Sequence, residues 1–241
     1  MKVITNEKKI AQRKKWAGIL SPIAMVLLLG GLGLNIASLR TTNSGEINPM
    51  YFYGTLALLI LGFIFSNISS HLVNHWVKEP RADQTLAKAL KGFDSKNYLF
   101  NYTGKAPHVL LTPQKVYTII TKGHNAKIEV DGKKWKRPFS VGRLLRFFAE
   151  ENFGNPTLEA EQNAEIVAKK LAEILPDTAT VPLQPLIVFT HPDADLTIRN
   201  TEIPVLKAGK LKSYIRENSK GQAIPYEIRQ LIVQTFSGEN A

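Results

Sequence analysis

The spacing of apolar and polar positions changes character near residue 77. Before that point the apolar residues form two long runs. After it they come in short runs with strand or helix period. Ala17 to Leu39 holds 23 residues without a charge, led by Leu27, Leu28, Leu29, Leu32 and Leu34. At ~1.5 Å per residue this covers a hydrocarbon layer of ~30 Å. Met50 to Val77 contains no Lys, Arg, Asp or Glu, and Leu56 to Phe65 is apolar apart from Gly62. The pattern predicts two transmembrane helices, at about 17–39 and 50–72. Trp16, Tyr51, Tyr53 and Trp76 stand near their ends, where amphipathic rings favour the interface. The run is longer than the core of a cleaved leader, and a second span follows closely. Asn43-Ser44-Gly45 and Asn48-Pro49 supply a turn, so the two helices should run antiparallel. Gly30, Gly31 and Gly33 offer a place for close approach. Pro22 falls in the first turns of the expected helix, where proline is tolerated. His71 and His75 share one helical face, but no third ligand is near in sequence, so no metal site is expected there.

Residues 78–241 read as one α/β domain. Asp83–Lys91 has helical period and stops at Gly92. Tyr98–Tyr102, His108–Thr112 and Lys115–Thr121 read as strands, the last two paired as a hairpin through Thr112-Pro113-Gln114. Lys127–Val130 starts another strand, which turns at Asp131-Gly132. Helices follow at Val141–Glu150 and, after Asn155-Pro156, at Thr157–Leu175, whose Leu158, Ile166, Val167, Leu171 and Ile174 keep helical spacing. Leu183–Thr190 reads as a buried strand and Ile203–Leu206 as a short one. Lys207–Asn218 and Pro225–Phe236 read as helices. This order predicts a mixed sheet flanked by helices.

Composition sharpens this division. Mean hydropathy is −0.10, an average over two unlike parts. There is no cysteine, which excludes thiol nucleophiles, Cys-based zinc sites and disulfides. The formal net charge is +11. Residues 1–16 carry six basic residues against Glu7, a net +5. Next to an apolar run, such a basic cytoplasmic tail acts as a topology signal, and it can also meet anionic headgroups. With only Arg40 as a basic residue in the connecting loop, both termini should face the cytoplasm. The remaining +6 belongs to residues 78–241, and a stretch of that size lies within 122–146. Lys122, Lys127, Lys133, Lys134, Lys136, Arg137, Arg143 and Arg146 face only Glu129 and Asp131 there, with Trp135 among them. Phosphate contacts next to an aromatic surface suit single-stranded nucleic acid. The same charges suit an anionic lipid surface, or a solvated face with Trp135 turned into the core.

Five pieces together resemble a known family. They are ADQTLAKAL, HVLLTPQKVYTIITKG, KIEVDGKKW, NPTLEAEQNAEIVAKKL and LIVFT, in this order over residues 82–218. The chain resembles the NERD, or nuclease-related, domains of the restriction-endonuclease-like PD-(D/E)xK superfamily. That resemblance implies phosphodiester hydrolysis with Mg²⁺ held by two carboxylates and assisted by a lysine. Carried over residue by residue, the lysine falls on Lys122. The Glu two positions earlier falls on Ile120, the Asp before the hairpin falls on Pro107, and the early helical Glu falls on Asp83. The Gln of the NP helix falls near Glu159 or Gln162. Ile120 and Pro107 have no side-chain oxygen to give a metal. The expectation is therefore a membrane-anchored nuclease-related domain without catalysis and without a cofactor. It would bind nucleic acid, another anionic partner or a protein at the cytoplasmic membrane face through Lys127, Lys133, Lys134, Trp135, Lys136, Arg137, Arg143 and Arg146. The alternative is an active Mg²⁺-dependent nuclease with displaced ligands, using Lys122 and Asp83. Oligomeric state is not set by the sequence.

Overall fold

The computed structural model describes residues 1–41, 48–138, 153–176 and 179–238. The helix expected at Val141–Glu150 lies outside the described residues. The chain forms two compact units. One contains Met1–Glu7, Pro80–Pro138 and the chain from Phe153 onward. The other contains Lys8–Glu79.

In the second unit, helix α1 runs from Glu7 to Thr41 and α2 from Pro49 to Leu72. A π-helical turn, Val73–Val77, continues α2. Both helices are long and apolar enough to cross a membrane by length and composition. Asn48 caps α2 by accepting from the Met50 amide at 3.0 Å, and Pro49 opens it. The helices pair antiparallel through small residues. Ser21 and Ser69 share a hydrogen bond of 2.5 Å. A Cβ on Gly62 would lie 2.8 Å from the Leu28 side chain and 3.1 Å from its backbone nitrogen. Gly31 stands against Leu59, whereas Gly33 has open space. Of the three glycines near one another in α1, Gly31 is thus the one at close approach, and it is joined by Gly62 of α2. Pro22 lies well inside α1 rather than at its start, because the basic residues before Ala17 are themselves helical.

The other unit contains a six-stranded sheet of β1 (Lys2–Thr5), β2 (Tyr98–Asn101), β3 (His108–Leu111), β4 (Val116–Lys122), β7 (Leu183–Phe189) and β9 (Val205–Lys207), in that spatial order. The pairs β2/β3 and β3/β4 are antiparallel, as the tight turn at Thr112–Gln114 requires. β1/β2, β4/β7 and β7/β9 are parallel. A second sheet has the order β6 (Lys134–Lys136), β5 (Lys127–Asp131), β8 (Asp195–Arg199). Helices α3 (Ala82–Ala89) and α5 (Ala208–Asn218) bury Leu86, Leu90, Leu211 and Ile215 against Leu99, Leu110, Tyr117 and Ile119 on one face of the large sheet. On the other face, α4 (Pro156–Ile174) and α6 (Tyr226–Gly238) bury Val167, Leu171, Ile232 and Phe236 against Phe100, Val109, Leu111 and Val116. The class is α/β with a mixed sheet flanked by helices, as the pattern predicts.

Two strands differ from the sequence reading. Residues 2–5, read as the start of a basic tail, form the edge strand β1. Its Lys2 amide donates to Asn97 O at 2.8 Å, and the Asn6 amide donates to Asn101 O at 3.0 Å. Asp195–Arg199 pairs with β5, where only a turn and a later strand were expected.

Candidate functional site

The site implied by the resemblance centres on the end of β4. Strand alternation sends Tyr117 and Ile119 to the α3/α5 face and Val116, Ile120 and Lys122 to the other. Ile120 is buried with Ile128, Ile187 and Phe189. The ladder pairs His108 with Ile119, so Pro107, one step beyond, stands at the level of Ile120. The two expected carboxylate positions are therefore neighbours in space, and neither carries an oxygen-bearing side chain.

Lys122 is buried, and its charge is already matched. Its Nζ donates to Glu159 Oε1 at 2.8 Å and to the Phe153 carbonyl at 2.9 Å, and lies 5.7 Å from the Phe153 ring centroid. The local sequence places both partners. Asn155 caps α4 by accepting from the Thr157 and Leu158 amides at 3.1 and 3.3 Å. Glu159 therefore sits in the first turn, where the helix dipole favours a carboxylate. Gly154 makes the room. Its φ is +62°, in the left-handed region that favours glycine, and a Cβ there would meet Glu159 Oε1 at 2.6 Å, so a larger residue would push the carboxylate aside. Lys133 reaches the same helix and donates to Glu161 at 2.6 Å. That hydrogen bond raises its pKa above the ordinary lysine value.

Phe153 is the hub of this corner. His124, Trp135 and Phe189 surround its ring at 5.2, 5.7 and 6.4 Å between centroids, and the Arg137 guanidinium lies 5.4 Å from it. Trp135 Nε1 donates to Thr157 Oγ1 at 2.8 Å. Trp135 is thus a packing residue that ties β6 to α4. Neither Phe153 nor its role was visible in the sequence. The signal present was the Gly154-Asn155-Pro156 helix start immediately after it.

Asp83 and His108 belong to the α3 side of the sheet. Asp83 is buried and accepts from Arg81 Nε and Nη2, both at 3.0 Å. This bidentate pair raises the Arg81 pKa. His108 Nδ1 is 2.9 Å from Asn101 Oδ1, and its ring lies 4.9 Å from that of Tyr102. Burial, and then the charge of Asp83, push the Tyr102 pKa well up. The structure therefore does not bring Asp83 to Lys122. The two occupy opposite faces, each bound to a partner of opposite charge.

A Mg²⁺ ion, which the resemblance implies, needs oxygen ligands around one point. Ile120 and Pro107 offer none. Both Asp83 oxygens serve Arg81, and the Glu159 carboxylate is met by the Lys122 ammonium. Among the described residues, no group of three or more His, Asp and Glu is placed to hold a metal ion. The residues present do not fit this ion.

The basic residues of 127–137 lie on the small sheet. Lys134 and Lys136 are exposed, and their strand neighbours are Asp131 and Glu129. Asp195 stands beside Lys127, and Arg199 stands beside Asp131. The outer face thus carries Lys127, Lys134, Lys136 and Arg199 against Glu129, Asp131 and Asp195. That face is nearly balanced, and two further cations of the stretch, Lys122 and Lys133, are paired with Glu159 and Glu161 of α4. Arg143 and Arg146 lie outside the described residues.

Comparison with known proteins gives one match. Residues 75–190 match the family described as nuclease-related domain, NERD. No curated protein and no solved structure matches the chain.

Proposed function

We propose, from the nuclease-related domain at residues 75–190 and the apolar helix pair before it, that the protein is a membrane-anchored binding module that does not hydrolyse phosphodiesters. One observation carries this reading. At the position of the assisting lysine, Lys122 is locked between Glu159 and the Phe153 carbonyl, beside a buried Ile120. An ammonium so paired has its charge already engaged and none free to offer a phosphate.

The pairing of β1 with β2 supports a topology with both termini in the cytoplasm. The chain before α1 and the chain after α2 join one sheet. If both helices cross the membrane, their outer ends must lie on the same side. The basic residues at those ends then make that side cytoplasmic. The small-sheet hairpin, with Lys134 and Lys136 outermost, is the surface we propose for nucleic acid or another anionic partner. Because Glu129 and Asp131 oppose them, binding should be weak, with a log–log salt slope near the ~−1 of a single neutralised phosphate.

The test is a cleavage assay on the full chain in mild detergent, with plasmid and single-stranded DNA and with Mg²⁺ or Mn²⁺. No cleavage above buffer is expected. Cleavage that disappears in Lys122→Ala would establish the active-nuclease reading with displaced ligands and overturn this one.

A further inference from the structure

The nuclease-like corner is not the only place in the domain where charge gathers. At the opposite edge of the large sheet, a cleft of about 260 Å³ opens between β1, β2, the turn before β2 and helix α6. Its cations come from three separate elements: Lys2 from β1, Lys96 from the turn and Arg229 from α6. No acidic residue lines it.

The fold builds this cleft. Lys2 pairs with Tyr98 in the β1/β2 ladder, and Ile4 packs in the core beneath α6, so Lys2 points to the α6 side as well. Its ammonium lies 5.5 Å from the Tyr98 ring centroid. On α6, Tyr226, Arg229 and Gln230 also line the cleft, and their spacing puts them on one helical face. Arg229 Nη2 donates to the Lys96 carbonyl, which fixes the helix against the turn. Arg229 Nε is buried without a hydrogen-bond partner. Among the described residues, the side chains of Lys2, Lys96 and Arg229 form no ion pair with a carboxylate, although the Lys96 amide donates to Asp94 Oδ1 at 3.0 Å. This contrasts with the small sheet, where each lysine of the hairpin has an acidic neighbour. Three like charges around a concave, aromatic-walled space repel one another until an anion fills it.

We propose that this cleft binds a phosphomonoester. The dianionic phosphate would sit among Lys2, Lys96 and Arg229, with Gln230 as a further donor. The Tyr226 ring, 70 % exposed at the rim, would pack on the planar or apolar part of the ligand. Three cations suit a doubly charged terminal phosphate better than the single charge of a phosphodiester. The group could be carried by a soluble nucleotide or by a lipid headgroup such as phosphatidic acid. The site shares no residue with the Lys122 corner, so it stands or falls independently of the catalytic reading.

The experiment uses the full chain in nanodiscs. Calorimetric titration with adenosine 5′-monophosphate is compared with adenosine, and nanodiscs containing phosphatidic acid are compared with phosphatidylcholine alone. Phosphomonoester binding should weaken at least tenfold in the Lys2→Glu, Lys96→Glu double variant, whose side chains are exposed, with its melting temperature unchanged. Tyr226→Ala should weaken binding less. Binding of the monophosphate identifies a soluble ligand. Binding of phosphatidic acid alone identifies a lipid. Either supports the site if the double variant loses it. Equal binding of monophosphate and adenosine, no binding in either arm, or binding untouched by the double variant would each overturn the proposal.

Discussion

The pairing of Lys122 with Glu159 makes a prediction that distinguishes a structural lysine from a working one. Glu159→Ala leaves the ammonium hydrogen-bonded to the Phe153 carbonyl alone of these two partners. Stranding one charge of a buried pair costs ~3–5 kcal/mol. The Glu159 side chain is 40 % exposed whereas that of Lys122 is 8 % exposed. Water can therefore enter the vacated place, and the expected loss falls to ~1–3 kcal/mol. Lys122→Met removes the charge that needs a partner and leaves Glu159 free to hydrate, for a loss of ~1 kcal/mol or less. The double variant should then resemble Lys122→Met, giving a coupling as large as the Glu159→Ala loss, ~1–3 kcal/mol. In a domain of this size, ~1 kcal/mol moves the melting temperature by ~2–4 °C. The assay is urea and thermal unfolding of the full chain in mild detergent, followed by tryptophan fluorescence, since Trp135 packs on Phe153. Equal losses in the two single variants, adding in the double, would refute the reasoning.

Two further predictions rest on other parts of the molecule. Gly62→Leu should separate α1 from α2, because its Cβ meets Leu28 backbone as well as side chain, at ~1–3 kcal/mol for overpacking. With no native cysteine to interfere, the disulfide yield of a Ser21→Cys, Ser69→Cys pair reports this, and it should fall with Gly62→Leu but not with Gly33→Leu. Burial, aided by Tyr214, pushes the Tyr117 pKa up to about 12. The unfolded tyrosine titrates near ~10, so the folded state keeps a proton that the unfolded state loses. Stability from this group is complete below pH ~10 and is lost as pH rises towards 12. Its hydroxyl is buried without a hydrogen-bond partner, so Tyr117→Phe should stabilise by about 1 kcal/mol and flatten the alkaline loss. An unchanged alkaline limb would contradict this.

Much of the architecture is legible in the sequence because it follows from strong periodicity. The two apolar runs, the long helix after Asn155-Pro156 and the hairpin at Thr112–Gln114 all stand where pattern and turn chemistry put them. Strand β1 escapes because Lys2-Val3-Ile4-Thr5 is short, lies beside a cluster of basic residues and gains its meaning only from Tyr98–Asn101, far along the chain. Strand β8 had a signal, the alternation of Leu196 and Ile198, but its partner β5 is also remote. Along the sequence, the lack of an oxygen-bearing side chain at Pro107 and Ile120 can be read directly. The capture of Lys122 by Glu159 cannot, since it depends on Gly154 leaving space for a carboxylate. The basic stretch misleads for the same reason. The carboxylates that pair with Lys122 and Lys133, Glu159 and Glu161, lie on α4, outside the stretch, and become neighbours only in the fold.

We propose that the corner around Lys122, where the resemblance implies a metal, holds an ion pair with Glu159 instead. Manganese titration of the full chain in detergent, read by the EPR signal of the free aquo ion, tests it most directly. The account predicts that added Mn²⁺ remains free into the millimolar range, in the wild type and in Lys122→Ala alike. One equivalent bound at micromolar concentration, and lost in Asp83→Asn or Glu159→Gln, would contradict it.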